Sequence, residues 1–312
     1  MNRRIAVLVA CSTVAALAVT GCGARKERTE PASTSTVRIA LSPLNVGENA
    51  VFAAQRENYF LQGGVKAQLT VLADSASAIR KVQQGQADLA VVTEPDLLEA
   101  RGRGARVVSV AALVQSPFTS LIGPKLSVGT VAALATKPIG TEGLDYQRAM
   151  AETIFMKAGG HAHVVDVGQD LTRALSTKMV AAVIAQFGGP TLPAGVVTVP
   201  VDRLGVPTFS EYVLVANEAA LDRDRDTIRS AIVALARGTR MLGSSNGFGT
   251  SIPLRGAQVA RTRALMLPPP GKPYGWHDPA KWRAFAAWMR ANKLPEKGAG
   301  AFTNELLPGA GQ

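Results

Sequence analysis

Cysteine is almost absent from this sequence. The only two, Cys11 and Cys22, lie among the first 22 of 312 residues. The rest of the chain can therefore form no disulfide and no CxxC metal site, and it offers no cysteine nucleophile. Stability must come from an apolar core. A chain of this length can supply one, because about three-quarters of the extended surface is buried at this size.

Histidine is also scarce, with three in the whole chain. His161 and His163 are separated by one residue, and the third histidine is His277. The pair would lie on one side of a strand, but no third ligand is evident. We therefore expect exposed strand residues and no metal. No GxSxG or HExxH motif and no Ser/His/Asp order is present, so we predict neither catalytic residues nor a cofactor.

Acidic residues are outnumbered, with 23 Asp and Glu against 34 Lys and Arg, giving a net charge of +11. The basic residues are scattered and not interleaved with aromatics, which argues against a nucleic-acid partner. Two interpretations remain open. The protein works near anionic lipid, or it binds an anionic ligand.

The first residues are typical of an export signal. Met1 to Arg4 carry the charge, an apolar stretch runs from Ile5 to Ala18, and small residues precede Cys22. The apolar stretch is too short for a transmembrane helix. The order resembles a bacterial lipobox, which implies cleavage before Cys22, acylation of its thiol and a lipid-anchored protein on the outer face of the cell membrane. The alternative is an ordinary signal peptide in which Cys22 is incidental.

Apolar and polar residues then alternate in patterns typical of strands and helices. The predicted strands are Val37–Leu41, Val65–Leu72, Leu89–Val92, Val107–Val114, Pro138–Gly140, Ala162–Val167 and Ala181–Ala185. The predicted helices are Glu48–Glu57, Ser75–Gln84, Asp96–Arg101, Gln147–Ala158, Leu171–Thr177, Asp226–Leu242 and one capped by Asp278. This alternation predicts an α/β fold whose sheets are mostly parallel and flanked by helices.

Two such stretches predict two lobes with a ligand cleft between them. Residues 1–21 would be the signal peptide and 22–36 a flexible tether rich in Pro, Ser and Thr. Lobe 1 would comprise residues 37–123 and 211–312, and lobe 2 residues 124–210. In the final helix, the spacing of four large side chains predicts a core face formed by Trp282, Phe285, Trp288 and Met289.

Several segments together resemble one family. They lie at residues 52–60 (FAAQRENYF), 85–92 (GQADLAVV), 107–121, 168–171, 181–184, 211–217 and 282–308. The chain resembles the extracytoplasmic solute-binding proteins of ABC importers, above all those that capture thiamine-pyrimidine precursors, with sulfonate and nitrate binders as cousins. The resemblance implies a type II periplasmic-binding fold and no catalysis. It also implies a monomer that delivers a small solute to a permease driven by a cytoplasmic ATPase.

The resemblance also implies where ligand would bind. In the pyrimidine binders, the loop after the first strand opens with a tryptophan and carries an Asn-His pair. Here Ser42 stands at the aromatic position, Asn45 could hold a polar contact, and Glu48 falls where the histidine would be. Loss of a stacking tryptophan leaves the ligand open. Phe118 and Phe187 are candidates either for stacking or for packing.

Further candidates follow predicted strands of lobe 1. Glu94 comes after a buried strand, where its carboxylate could accept an amino group or act as a solvated helix cap. Gln115 and Ser116 follow the next strand, so their amide and hydroxyl would point into the cleft.

The remaining candidates belong to lobe 2 and its return crossover. The turn at Thr141, Glu142 and Gly143 is either an anion-binding helix start or a plain tight turn. Gln186 follows another predicted strand. Glu211 and Tyr212 match the acidic-aromatic crossover of the family and would face the cleft.

Three functions follow from these observations. The first is capture of a thiamine-pyrimidine-like heterocycle for import. The second is binding of a small anion such as an aliphatic sulfonate, nitrate or an aromatic carboxylate, towards which the basic composition leans. The third is a ligand sensor no longer coupled to transport. An enzyme is not expected, because enzymes with this resemblance need a cysteine cluster.

Overall fold

The computed structural model describes residues 34–42, 48–186, 195–242 and 263–309. Within them are two five-stranded sheets. The first contains β1 (Ser35–Leu41), β2 (Val65–Val71), β3 (Leu89–Val92), β4 (Val107–Val114) and, from later in the chain, β10 (Tyr212–Asn217). The second contains β5 (Thr119–Pro124), β6 (Pro138–Thr141), β7 (His163–Asp166), β8 (Ala182–Gln186) and β9 (Val196–Pro200).

Eight helices with complete bounds accompany these sheets in the described ranges. They are α1 (Asn49–Arg56), α2 (Tyr59–Gln62), α3 (Ser75–Gln83), α4 (Glu94–Gly102), α5 (Asp145–Lys157), α6 (Leu171–Ser176), α7 (Arg225–Met241) and α8 (Pro279–Ala291). Side chains fix four of the helix starts by accepting bonds from otherwise unpaired N–H groups. Asp74 caps α3, Thr93 caps α4, Asp170 caps α6 and Asp278 caps α8.

The two sheets share one strand order. The first reads β2-β1-β3-β10-β4 and the second β7-β6-β8-β5-β9. In each, four strands point the same way and the fourth in order, β10 or β5, runs antiparallel to its neighbours. The predicted α/β fold with mostly parallel sheets is confirmed.

The first sheet is covered on both faces. Successive residues of β1 alternate between two apolar clusters, so Ala40 packs with α3 and α4 while Leu41 packs with α1 and α7. The cluster that contains Ala40 continues into the second sheet and includes Ile139 and Ile184. One apolar core therefore joins the two lobes.

Helix α8 closes this shared core. Its predicted core face is confirmed, since all four large side chains are buried. Phe285 lies 4.6 Å from Phe209, measured between ring centroids. Trp288 donates from Nε1 to Thr153 Oγ1 of α5 at 3.0 Å. The last helix of the chain thus ties the first lobe to the second.

The crossovers between the sheets lie at residues 115–118 and 201–211. The predicted boundary at residues 123 and 124 falls inside β5, whose strand partners, β8 and β9, both belong to the second sheet. Strand pairing therefore favours a division before Thr119. Strands β5, β9 and β10 were not assigned from the sequence. Among the described residues, no helix has the length and apolar character that crossing a membrane requires.

Candidate functional site

Three buried polar residues follow the carboxyl ends of neighbouring strands in the first sheet. Strands β1 and β3 are neighbours, with Leu41 paired to Val91, so Ser42 and Glu94 follow adjacent strands. Ser42 Oγ, Asn49 Nδ2 and Glu94 Oε1 are shielded from solvent and have no hydrogen-bond partner among the described residues. Buried polar groups are nearly always paired, so such a set indicates a place where a ligand supplies the partners. We call these residues the first-sheet polar group.

Glu94 is the most distinctive member. It is 0 % exposed, and Thr93 is the residue that caps α4, so Glu94 is not a solvated cap. Its Oε2 accepts from the backbone N–H of Ser210 at 2.7 Å. Burial raises the pKa of Glu94 to about 8, although the bonds from Ser210 and the charge of Lys281 oppose the rise. The carboxyl group is therefore protonated at neutral pH and can both donate and accept a hydrogen bond.

Glu48 lies at the same end of the sheet. It directly precedes α1 and is 0 % exposed. Burial first, then the charges of Glu211 and Glu48, raise the pKa of Tyr212 well above its usual value. Glu48 is thus close enough to Tyr212, the first residue of β10, to raise its pKa. This proximity connects the end of the first sheet that holds the polar group with the crossovers.

Glu211 joins the two crossovers. Its Oε2 accepts from the N–H groups of Phe118 and Thr119 at 2.8 and 2.7 Å. Its Oε1 accepts from Thr119 Oγ1 at 2.7 Å and from Gln186 Nε2 at 2.9 Å. Burial raises the pKa of Glu211 to about 7 despite the bonds from Thr119. Four internal bonds occupy this carboxylate, so we call Glu211 the crossover clasp.

The aromatic and amide candidates near the clasp also make internal contacts. Phe118 is 4 % exposed, and its ring centroid lies 5.8 Å from that of Tyr212. The Tyr212 hydroxyl donates to Gln186 Oε1. Gln115 Nε2 turns back to the carbonyl of Ala112 at 2.9 Å, while Ser116 is half-buried.

The candidate turn of the second sheet is internally satisfied. The N–H of Glu142 donates to Gln147 Oε1 at 2.8 Å, and Gln147 Nε2 donates to Glu142 Oε2 at 2.7 Å. The N–H of Gly143 donates to Thr141 Oγ1 at 3.4 Å. Gly143 has φ of +82°, and a Cβ there would lie 2.5 Å from an Asp166 oxygen. This geometry is that of a tight turn beside two carboxyl groups, which disfavours an anion.

Sequence reasoning missed the contact between the lobes next to this site. Asp96 accepts from Thr93 Oγ1 at 2.6 Å, and Thr93 also bonds the side chain of Tyr146 in α5. The spacing of Thr93 and Asp96 at a helix start was the available signal. Nothing in the sequence placed Tyr146 opposite them, because that contact joins two sheets.

The site is acidic although the chain is basic. Burial raises the pKa of five carboxyl groups, those of Glu94, Asp96, Glu99, Glu142 and Glu211. At Glu94 and Glu99, burial outweighs the opposing charges of Lys281 and Arg103. Net charge over the whole surface is thus a poor guide to the charge of the cleft.

A Ser-His-Asn arrangement occurs away from the cleft. His277 Nε2 accepts from Ser109 Oγ at 2.7 Å, and its Nδ1 donates to Asn304 Oδ1 at 3.0 Å. Both Ser109 and His277 are 0 % exposed, and Phe302 stacks on the imidazole. Burial lowers the pKa of His277 to about 4. No substrate can reach this serine, so the arrangement is structural.

The other two histidines are exposed, and His161 contacts Glu152. No cluster of three or more potential metal-binding side chains occurs in the part of the chain that the structure describes. The candidates Asn45 and Phe187, and the predicted lipidation site Cys22, lie outside the described residues.

Comparison with known proteins gives one family and one fold. A family model described as NMT1/THI5 like matches residues 47–244. A formylaminopyrimidine-binding protein of Halalkalibacterium halodurans is 23 % identical over 277 residues, covering 81 % of this chain and 84 % of that protein.

Two solved structures share the fold. A ligand-binding component of an ABC-type import system from Staphylococcus aureus, with zinc bound, superposes with a TM-score of 0.66 and 12 % identity, over 88 % of this chain and 99 % of that one. The alkanesulfonate-binding protein SsuA from Xanthomonas axonopodis pv. citri, bound to MOPS, superposes with a TM-score of 0.65 and 17 % identity. The superposition covers 88 % of this chain and 99 % of that one. The predicted two-lobe periplasmic-binding fold is confirmed.

Proposed function

Because the chain belongs to the NMT1/THI5-like family, we propose that it captures an amino-bearing heterocycle related to the thiamine pyrimidine and delivers it to an import permease. The predicted resemblance to this family is confirmed. The Staphylococcus aureus neighbour is a ligand-binding component of an ABC-type import system and the Xanthomonas neighbour binds alkanesulfonate, which supports a binding protein and not an enzyme. The choice of ligand and the delivery step are the proposed parts.

The observation that carries the choice of ligand is the first-sheet polar group. Because Oε2 is bonded by Ser210, Glu94 offers its Oε1, which donates when protonated and accepts when ionised. An aminopyrimidine can answer either state, since it has a ring nitrogen that accepts and an exocyclic amino group that donates. Asn49 Nδ2 adds a donor for a second ring nitrogen or a formyl oxygen, and Ser42 Oγ adds a hydroxyl. A ligand of this chemistry satisfies groups that are otherwise buried and unpaired.

The anion alternative fits this site less well. A sulfonate offers acceptors only and would lie among several buried carboxyl groups, including Glu94, Glu142 and Glu211. The N–H groups of the turn at Glu142 and Gly143, which could have bound it, donate to side chains of the protein instead. Because those N–H groups are occupied, the turn offers an anion no donor at these two positions, and ionisation of Glu211, whose pKa is about 7, would repel it.

The proposed location is the outer face of the cell membrane. The lipobox-like run ending at Cys22 supports an acyl anchor, and a tethered monomer would stay within reach of its permease. The permease would be driven by a cytoplasmic ATPase, as in other importers that use this fold.

The test is isothermal titration calorimetry of the mature protein. The panel contains formylaminopyrimidine, a hydroxymethyl aminopyrimidine, methanesulfonate, nitrate and benzoate. We expect saturable binding of a pyrimidine and no heat from the anions. Tighter binding of methanesulfonate than of either pyrimidine would overturn the proposed ligand class.

Delivery needs a second experiment in cells. Uptake of the radiolabelled pyrimidine is compared between the parent strain and a deletion of this gene. Loss of uptake supports transport. Unchanged uptake, together with tight binding in the calorimeter, would favour the sensor function instead.

A further inference from the structure

The solvent-facing side of α7 carries a row of arginines. Arg229, Arg237 and Arg240 lie on the arc opposite the buried residues of the helix, with Val233, which is 40 % exposed, between them. The only acidic residue of α7 is Asp226, in its first turn. We call Arg229, Arg237 and Arg240 the α7 arginine row.

Ion pairs within the described residues do not neutralise the charges of this row. None of its three arginines forms an ion pair in the part of the chain that the structure describes. Arg237 is held over the ring of Tyr59 at 4.0 Å and donates to Gln62 Oε1 at 2.5 Å. Between these two α2 residues lies Leu61, which is 52 % exposed. The surface therefore combines fixed positive charge with protruding apolar side chains.

The first described strand begins beside this surface. Ser35 donates from its N–H to the carbonyl of Gly64 at 3.2 Å, directly after α2. A Cβ on the preceding Gly63 would lie 3.7 Å from the carbonyl oxygen of Ser230 in α7. In the sequence, eleven residues separate Cys22 from Thr34. A segment of that length spans at most about 40 Å even when fully extended.

From this placement we propose that the α7 arginine row, with Leu61 and Val233, rests on an anionic lipid surface. The inference depends on the proposed function in one respect, because the acyl group on Cys22 would bring this face to the membrane. Arginines bind lipid phosphates, and exposed aliphatic side chains partition into the headgroup region. The short segment after Cys22 favours the face on which the fold begins.

The test measures which face contacts lipid. A fluorophore is attached to Val233→Cys in the lipidated full-length protein, and in a control to Val197→Cys on β9 of the second sheet. The two sites are matched, since Val197 is 41 % exposed. Each protein is added to phosphatidylcholine vesicles carrying a nitroxide-labelled lipid quencher, with or without phosphatidylglycerol. We expect stronger quenching at position 233 than at 197 only when phosphatidylglycerol is present, and weaker quenching in high salt.

The row itself is tested by Arg229→Gln, Arg237→Gln and Arg240→Gln. Each substitution should weaken binding of the α7 face to lipid. The ratio of protein with this face on the lipid to protein without it should fall about fivefold per substitution. Equal quenching at both sites, or quenching unchanged in the triple variant, would overturn the proposal. So would a triple variant that loses solute uptake but keeps its quenching, because the row would then serve the permease.

Absence of the lipid anchor and absence of lipid binding by the α7 arginine row give different results. A protein that does not co-sediment with phosphatidylcholine vesicles lacks the proposed anchor. The comparison of positions 233 and 197 on phosphatidylglycerol vesicles still decides which face binds lipid.

Discussion

The two sheets follow the same strand order, yet the polar groups at their carboxyl ends are in opposite states. At the first sheet, Ser42, Asn49 and Glu94 hold buried atoms without a partner among the described residues. At the second, Glu142 and Gln147 bond each other. The difference indicates a division of labour. We propose that the first lobe holds the groups that recognise ligand, whereas the turn of the second is already satisfied by internal bonds.

Packing separates the two halves as well. One edge strand of the first sheet, β4, is wholly buried and the other, β2, is partly exposed, whereas both edge strands of the second, β7 and β9, are partly exposed. Substitutions at matched positions should therefore have unequal effects in the two halves.

The largest effect is expected where α1 crosses α7. A Cβ on Gly238 would lie 2.2 Å from the carbonyl oxygen of Ala50, so Gly238→Ala must push two helices apart. We expect a loss of about 3 kcal/mol or more in unfolding free energy, measured by urea denaturation. Gly129→Ala in the second half is the control, since a Cβ there would meet nothing within 4 Å. Similar losses in both variants would contradict the unequal packing.

The histidines provide a pH-dependent comparison. In the folded protein, burial lowers the pKa of His277 from its usual 6.5 to about 4. The unfolded chain therefore binds the proton more readily, and stability should fall as pH drops from 6.5 towards 4, by about 3 kcal/mol in all. His277→Gln should remove this slope, although it lowers stability at pH 7.

The exposed His163 of the second sheet is the matched control for His277. His163→Gln is measured over the same pH range for comparison. A slope that survives in His277→Gln and disappears in His163→Gln would reverse the assignment.

The proposed recognition groups should also differ between the halves, with the larger loss of ligand affinity in the first half. Glu94→Leu removes both oxygens of the carboxyl group that is proposed to pair with the ligand, so pyrimidine affinity should fall about 10- to 100-fold in calorimetry. Glu142→Gln keeps a hydrogen-bond acceptor for Gln147 and should change affinity less than about threefold. Equal losses would mean that both lobes recognise ligand.

The isosteric change Glu94→Gln should alter the pH dependence of stability. The effect of Glu94 has the sign opposite to that of His277. Since burial raises the pKa of Glu94 from 4.5 to about 8, the wild-type protein should lose stability as pH rises through that interval. The variant cannot ionise, so it should lose less. Thermal melts from pH 5 to pH 8 measure the difference, and a steeper decline in the variant would contradict the assignment.

The smallest effect concerns the contact between the halves. Thr153→Val removes the acceptor of Trp288 Nε1 and should cost about 1 kcal/mol in unfolding free energy. Thr177→Val is the control, because its hydroxyl bonds the carbonyl of Arg173 in the adjoining helix. A larger loss in the control than in Thr153→Val would show that the contact between the halves contributes little.

Periodicity in the sequence predicted the first half well for a physical reason. Parallel strands buried on both faces, such as β3 and β4, are continuous apolar runs. Strand β5 contains a single short apolar pair and ends at Pro124, and β9 is half-buried, so neither gives a strong local pattern. The predicted boundary at residue 123 followed from missing β5.

The positions of the site were more predictable than its chemistry. Glu94 was a candidate because it follows a buried strand. That Glu211 is fully bonded could not be read from the sequence, since its donors come from Thr119 and Gln186, which are distant along the chain. The basic net charge suggested an anionic ligand. Net charge counts surface arginines and buried carboxyl groups together, so it does not show which of them lie at the site.

The reversed strand β10 has a consequence for the order of folding. Val213 pairs with Val92 on one side and with Ala112 on the other, although the whole second sheet lies between them in the chain. The second sheet uses only residues before 201 and can close alone, whereas the first lacks an interior strand until residue 217 has been made. Until then β3 and β4 present open edges, which are prone to wrong pairing. We expect pulsed hydrogen exchange to protect β6 and β8 before β3, and earlier protection of β3 would disprove this order. A nascent chain of this topology would thus remain without a finished amino-terminal lobe for most of its synthesis, a state suited to passage through a membrane pore before folding.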